Sequence, residues 1–243
     1  ESIGEEHPWI QQQVEVVQAI RETFTEEIAS FYNIFSPISY LKRWFRTEIS
    51  RGDREVADLL LENPEQFRAI LDVIAGDIAI LTQKIIQQGG VDGIYLSTQE
   101  IQDERITPAL YQTYIEPSNI AILEAANQVG GTNILHICGF EGASNDVTIF
   151  KDYPAQVVNW ATHHEDVSLT QGQELFPGKA VLGGFENGKK SLLYQGSKAE
   201  LQDETRRLLA EAGSKGVLLG ADCTVPDDFD LERLDWIRQA AVL

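Results

Sequence analysis

The chain has 243 residues, enough for one large domain, and its 43% apolar and 23% charged content is that of an ordinary globular protein. A formal net charge of −19 disfavours nucleic acid and anionic membrane surfaces, both of which require clustered Lys and Arg. No apolar run has the length of a membrane span and no basic-then-apolar leader opens the chain, so a cytoplasmic location is expected.

Ile10, Val14, Val17, Ile20, Phe24 and Ile28 recur near a 3.6-residue period and predict a helix from Trp9 to about Ala29. Ser30 to Phe35 reads as a strand, rich in aromatic and β-branched residues. Ser36-Pro37 is a helix start, and the helix it opens is expected to run to Ile49. A short helix through Leu61 follows Arg51-Gly52-Asp53. Asn63-Pro64 opens a long amphipathic helix to about Gln88, which Gly89-Gly90 ends. Gly93 to Ser97 is the next strand, and Thr107-Pro108 begins a helix expected to reach Val129. Strands are then expected at Asn133–Cys138, Gln156–Trp160, Lys179–Gly184 and Gly216–Gly220. Helices are expected near Asp146–Tyr153, over Lys198–Ala212 and over Asp230–Ala241. Trp44, Trp160 and Trp236 are expected mainly in the core.

Strands thus alternate with helices and no hairpin signals intervene, which argues a parallel sheet covered by helices. The fold class expected is α/β, a (β/α)8 TIM barrel carried as a single domain over residues 1–243. Six strands are legible where a closed barrel needs eight. The chain contains no methionine and opens at Glu1, so the missing pair is expected ahead of position 1. An open doubly wound sheet is the structural alternative, but no Gly-x-Gly-x-x-Gly turn follows any strand.

The chemistry-bearing residues lie in Asn133-Ile134-Leu135-His136-Ile137-Cys138-Gly139 and in Gly220-Ala221-Asp222-Cys223-Thr224-Val225-Pro226. Residues two apart on a strand share a face, so His136 and Cys138 should point the same way at the strand's C-terminal end, where β/α barrels keep their chemistry. The only other cysteine, Cys223, follows the last strand at the equivalent end. One imidazole and two thiolates suit Zn2+, and three protein ligands leave the open position of a catalytic rather than a structural zinc. An ordinary thiol has a pKa near about 8.5, so only about 3% is thiolate at pH 7. A metal that strips the proton supplies a sulfur nucleophile.

On these residues the chain resembles the uroporphyrinogen decarboxylase superfamily, and within it the zinc-dependent methylcobamide:thiol methyltransferases, whose signature is His-x-Cys followed far downstream by Cys. Asn63-Pro64-Glu65, Gly93-Ile94-Tyr95-Leu96-Ser97, Val158-Asn159-Trp160 and Gly183-Gly184 extend a weaker similarity along nearly the whole chain. The resemblance implies zinc held by His136, Cys138 and Cys223, which are then also the catalytic residues. It implies methyl transfer to a small-molecule thiol, with methylcobalamin as co-substrate and a corrinoid carrier protein as partner. The decarboxylase branch carries Asp before the tryptophan of the corresponding strand, where this chain has Asn159. The catalytic half of cobalamin-independent methionine synthase has a similar arrangement, and there a Glu joins the zinc near that strand. Here no carboxylate follows the strand before Glu165, so the fourth ligand is open, with Glu141, Glu165 and Glu186 as candidates only.

Ser97, Asn159, Trp160 and Glu186 are the expected substrate-binding residues. His163-His164-Glu165-Asp166 follows the Asn159-Trp160 strand and could bind a polar substrate or supply a proton, although acidic residues also suit a helix start. A zinc methyltransferase, a metal-free tetrapyrrole decarboxylase and a non-catalytic corrinoid-binding barrel are the three functions to separate. The charge balance leads to an expectation of no nucleic-acid and no membrane partner, and a homo-oligomer is compatible with the sequence.

Overall fold

The computed structural model describes residues 2–24, 27–48 and 50–242. Positions 25 and 26 of the expected first helix, and Ile49 at the expected end of the second, lie outside the described residues, and the second helix itself stops at Phe45, where Arg46 turns extended. The strands β1 (Phe31–Phe35), β2 (Gly93–Thr98), β3 (Ile134–Ile137), β4 (Val157–Trp160), β5 (Ala180–Phe185) and β6 (Val217–Ala221) follow chain order in one sheet. The pairs β1–β2, β4–β5 and β5–β6 are parallel. This is the α/β architecture expected, with six consecutive parallel strands of the barrel type. Among the described residues no helix is long and apolar enough to cross a membrane.

The chain forms two compact units, Glu1–His136 with Asp152–Ala155 and Ile137–Lys151 with Gln156–Leu243. In the first, α1 (Pro8–Arg21), α2 (Pro37–Phe45), α3 (Asp53–Glu62), α4 (Pro64–Gln87), α5 (Pro108–Tyr114) and α6 (Glu116–Gln128) accompany β1 and β2. Capping explains most of the starts. Ser36, Asn63 and Thr107 each accept from a backbone N–H three residues on, with Pro at the first helical position. The core is built on α4, whose Phe67, Leu71, Ile78, Leu81 and Ile85 are buried.

Three expectations here are corrected. The first helix ends at Arg21, because Thr23 N–H and Phe24 N–H bond Ile20 O and Arg21 O and tighten the chain into turns. The helix expected over 107–129 is two helices, since Pro117 cannot donate and its ring obstructs the turn before it. Trp44 is 84% exposed. The buried stripe of α2 runs through Ile38 and Lys42, one turn apart, and Trp44 falls on the opposite face. Lys42 is inward because its ammonium meets Asp53 at 2.5 Å, Gln99 Oε1 at 2.9 Å and Glu100 O at 3.1 Å.

In the second unit α7 (Leu169–Leu175), α8 (Leu192–Gln195), α9 (Lys198–Ala212) and α10 (Glu232–Ala241) accompany β4, β5 and β6. Ser168 with Gln171 and Ser197 with Glu200 close reciprocal capping boxes on α7 and α9. The helix expected near 146–153 is a single 3-10 turn, Val147–Phe150, capped by Asp146. It precedes Pro154, which favours an extended residue before it and leaves little room to wind further.

Candidate metal centre

β3 buries all four of its residues, and His136 sits near its C-terminal end, 3% exposed. Its ring stacks on Tyr95 of β2, with centroids 5.1 Å apart and planes inclined by 28°. Cys138 lies one residue past β3 and Cys223 two past β6, both half-buried. Their sulfurs are 3.9 Å apart, far beyond a disulfide bond of about 2.05 Å. Two thiolates on one tetrahedral zinc, with Zn–S of about 2.3 Å, stand about 3.8 Å apart. The spacing therefore fits a shared zinc. His136 is two residues up the strand from Cys138, and ligand atoms of His136, Cys138 and Cys223 all fall within 4.8 Å of one another. The donor set His, Cys, Cys is borderline-soft, as zinc requires.

The chain around each sulfur is held by polar contacts. Asp222, next to Cys223, is fully buried. Its carboxylate accepts from Thr162 Oγ1 at 2.8 and 2.9 Å, from Gly184 N at 3.1 Å and from His163 N at 3.3 Å. It also meets His163 Nδ1 at 2.7 Å. That bond to Asp222 is the main reason the His163 pKa is raised above 6.5. Burial opposes the rise, and the charges of Asp222, Glu186 and Glu204 add to it. On the other side, the Cys138 carbonyl accepts from Asn145 Nδ2 at 3.1 Å. Asn145 is gripped in turn by Glu165, whose oxygens take its Nδ2 at 2.7 Å and its backbone N–H at 2.6 Å. Burial raises the Glu165 pKa, and the two Asn145 bonds pull it back.

Glu165 reaches this position only because residue 139 is Gly. A methyl there would lie 1.9 Å from Glu165 Oε1. Both Glu165 oxygens are therefore engaged with Asn145, and among the described residues the metal-capable group comprises the three residues His136, Cys138 and Cys223.

The other residues singled out from sequence are placed as follows. Ser97 is buried in β2, opposite Phe35, and its carbonyl accepts from Ser36 N at 2.8 Å. Asn159 is buried in β4, with its amide donating to Leu182 O at 2.8 Å and Ala221 O at 3.5 Å. Trp160 is buried with its indole N–H on Val167 O at 2.8 Å and its ring 5.7 Å from that of Phe176. Glu186 lies just past β5, close enough to His163 to act on its charge. Sequence reasoning missed Tyr95 as a partner of His136, Thr162 as a partner of Asp222 and Asn145 as a partner of Glu165. A small residue directly after a predicted ligand, Gly139, was the one local signal of close approach.

No curated protein matches the chain significantly. The model of the uroporphyrinogen decarboxylase (URO-D) family matches it over residues 3–242, and the chain belongs to that family.

Proposed function

We propose that this protein is a zinc-dependent methyltransferase that activates a small-molecule thiol, with a methylated corrinoid as donor. The observation that carries the reading is the 3.9 Å spacing of the Cys138 and Cys223 sulfurs beside His136. Members of the family are mostly enzymes, decarboxylases or methyltransferases, and the metal-capable cluster favours the second kind. His136, Cys138 and Cys223 would hold the ion. When bound, zinc supplies a low-pKa site at which an acceptor thiol sheds its proton and keeps its nucleophilic electron pair. Cys138 and Cys223, as thiolates, offset the charge of the dication and so preserve electron density on the acceptor sulfur. Tyr95 fixes the plane of His136 and hence the direction of its donor nitrogen. Ser97, Asn159 and Glu186 are proposed to help place the acceptor and donor at attack distance, whereas Trp160, buried against Phe176 and Gly172, serves as packing. A corrinoid carrier protein is the proposed partner.

The test is metal analysis of protein purified without added zinc, followed by thiol-dependent consumption of methylcobalamin. About one zinc per chain, with both zinc and activity lost in Cys223→Ala, is the expected result. The family description itself favours a second reading, tetrapyrrole decarboxylation, which needs no metal. Release of CO2 from uroporphyrinogen by zinc-free protein would select it.

A further inference from the structure

The two sulfur-bearing segments hang on one short piece of chain. β4 ends at Trp160, and the backbone then turns tightly, with His164 N and Glu165 N both bonding Ala161 O at 3.0 and 2.9 Å. From this turn Thr162 and His163 grip the Asp222 carboxylate beside Cys223. From the same turn Glu165 grips Asn145, which holds the Cys138 carbonyl. Ser144 Oγ adds a bond to His164 O at 3.2 Å. The base of the turn is closed by the Trp160 indole on Val167 O. Every one of these residues belongs to the second compact unit.

We propose that the 162–165 segment is a positioning template that sets the Cys138 and Cys223 sulfurs at metal-binding spacing before any metal arrives. Thr162 and Glu165 are its two arms. Neither touches a sulfur in the contacts described, and each acts through one intermediary, Asp222 or Asn145. The physical reason to need such a device is that the two cysteines are 85 residues apart in sequence. Each sits just past a strand end, and on the Cys223 side the last backbone bond to the sheet is made one residue earlier, from Asp222 N to Phe185 O at 2.7 Å. Without an external brace, ordering both loops would be charged to metal binding and would weaken it. Partners that orient metal ligands are typically worth about 10–100-fold in affinity. The inference rests on the zinc reading for its metal arm, but the dithiol arm below does not.

The experiment uses the full chain as wild type, Thr162→Val, Thr162→Ser and Glu165→Ala. Zinc affinity is measured by competition with a chromophoric chelator. In parallel, the metal-free protein is equilibrated with reduced and oxidised glutathione. There Cys138 and Cys223 form a disulfide as one glutathione disulfide becomes two thiols, so the equilibrium reads how closely the sulfurs are held. T162V and E165A should each weaken zinc about 10-fold or more and disfavour the disulfide by a similar factor. T162S keeps the hydroxyl and should behave as wild type in both assays. If neither variant shifts either equilibrium while wild type binds zinc, the template is overturned and the zinc reading stands. If wild type binds no zinc but the disulfide equilibrium still shifts in T162V and E165A, the template stands and the zinc reading falls. If T162S is as impaired as T162V in both assays, bonding through the hydroxyl is refuted and the template with it.

Discussion

The substitution Gly172→Ala isolates the packing that holds the base of the template. Gly172 is buried in α7 and faces Trp160. A methyl there would lie 2.0 Å from Trp160 Cη2, 2.4 Å from Cζ2 and 3.0 Å from Cζ3. The indole cannot retreat easily, because it is fully buried and tied to Val167 O. At an exposed helical site the same change would stabilise by about 1 kcal/mol, from helix propensity. Here overpacking should cost about 3 kcal/mol, and displacing the indole should forfeit its hydrogen bond, about 1 kcal/mol more. The net loss is then about 3 kcal/mol, which for a chain of this size lowers the melting temperature by about 6–12 °C. Thermal and urea unfolding followed by tryptophan fluorescence would measure it. An unchanged or raised melting temperature would refute the packing argument, since the sign itself is opposite to that of an unobstructed helix.

Three further outcomes follow from other contacts. On the proposed zinc reading, Cys138→Ser and Cys223→Ser should each reduce bound zinc from about one per chain to near none, read by metal analysis. The His163 contact should make stability depend on pH. Its folded pKa lies above 6.5, so the contact contributes fully below about 6.5 and fades as pH rises through the folded value. The ring is half-exposed, so screening should hold the effect below about 1 kcal/mol, and urea unfolding at several pH values should give His163→Gln a flatter profile. Lys42→Met would strand Asp53, whose carboxylate also accepts from Gln102 N at 2.8 Å, and should cost about 3–5 kcal/mol in urea unfolding. The double variant Lys42→Met with Asp53→Leu should cost less than the single change, and a larger cost would contradict a desolvation origin.

The parts of the molecule that were legible from sequence are those fixed by local physics. α9 begins after Ser197 and stops before Gly213, as read, because a capping box and a glycine terminus are written in adjacent residues. The strands were found to within one or two residues, since runs such as Val157–Trp160 are buried on both faces. His136 and Cys138 could be paired because strand alternation is strict. α7 escaped notice because its seven residues include Gly172 and are too few for a period, although Ser168 and Gln171 carried its capping box. Asp222 with Thr162, and Glu165 with Asn145, could not be read at all. Their partners lie 60 and 20 residues away, and nothing local distinguishes such a carboxylate from a solvated one. Trp44 departs from the core position expected because Lys42, paired with Asp53, takes the inward face of this short helix.

The position of Glu165 also bears on what kind of metal site is proposed. A structural zinc closes its coordination with four protein ligands, whereas a catalytic one keeps a position open. Glu165 is the carboxylate nearest in sequence to the β4 end, where a fourth ligand would be sought, yet Asn145 takes both of its oxygens. Moving it toward a metal would compete with these two bonds, which hold the Asn145 that bonds the Cys138 carbonyl. Of the three donors His136 is 3% exposed while both cysteines are half-buried, so on the proposed reading solvent and an acceptor reach the two sulfurs more readily than the imidazole.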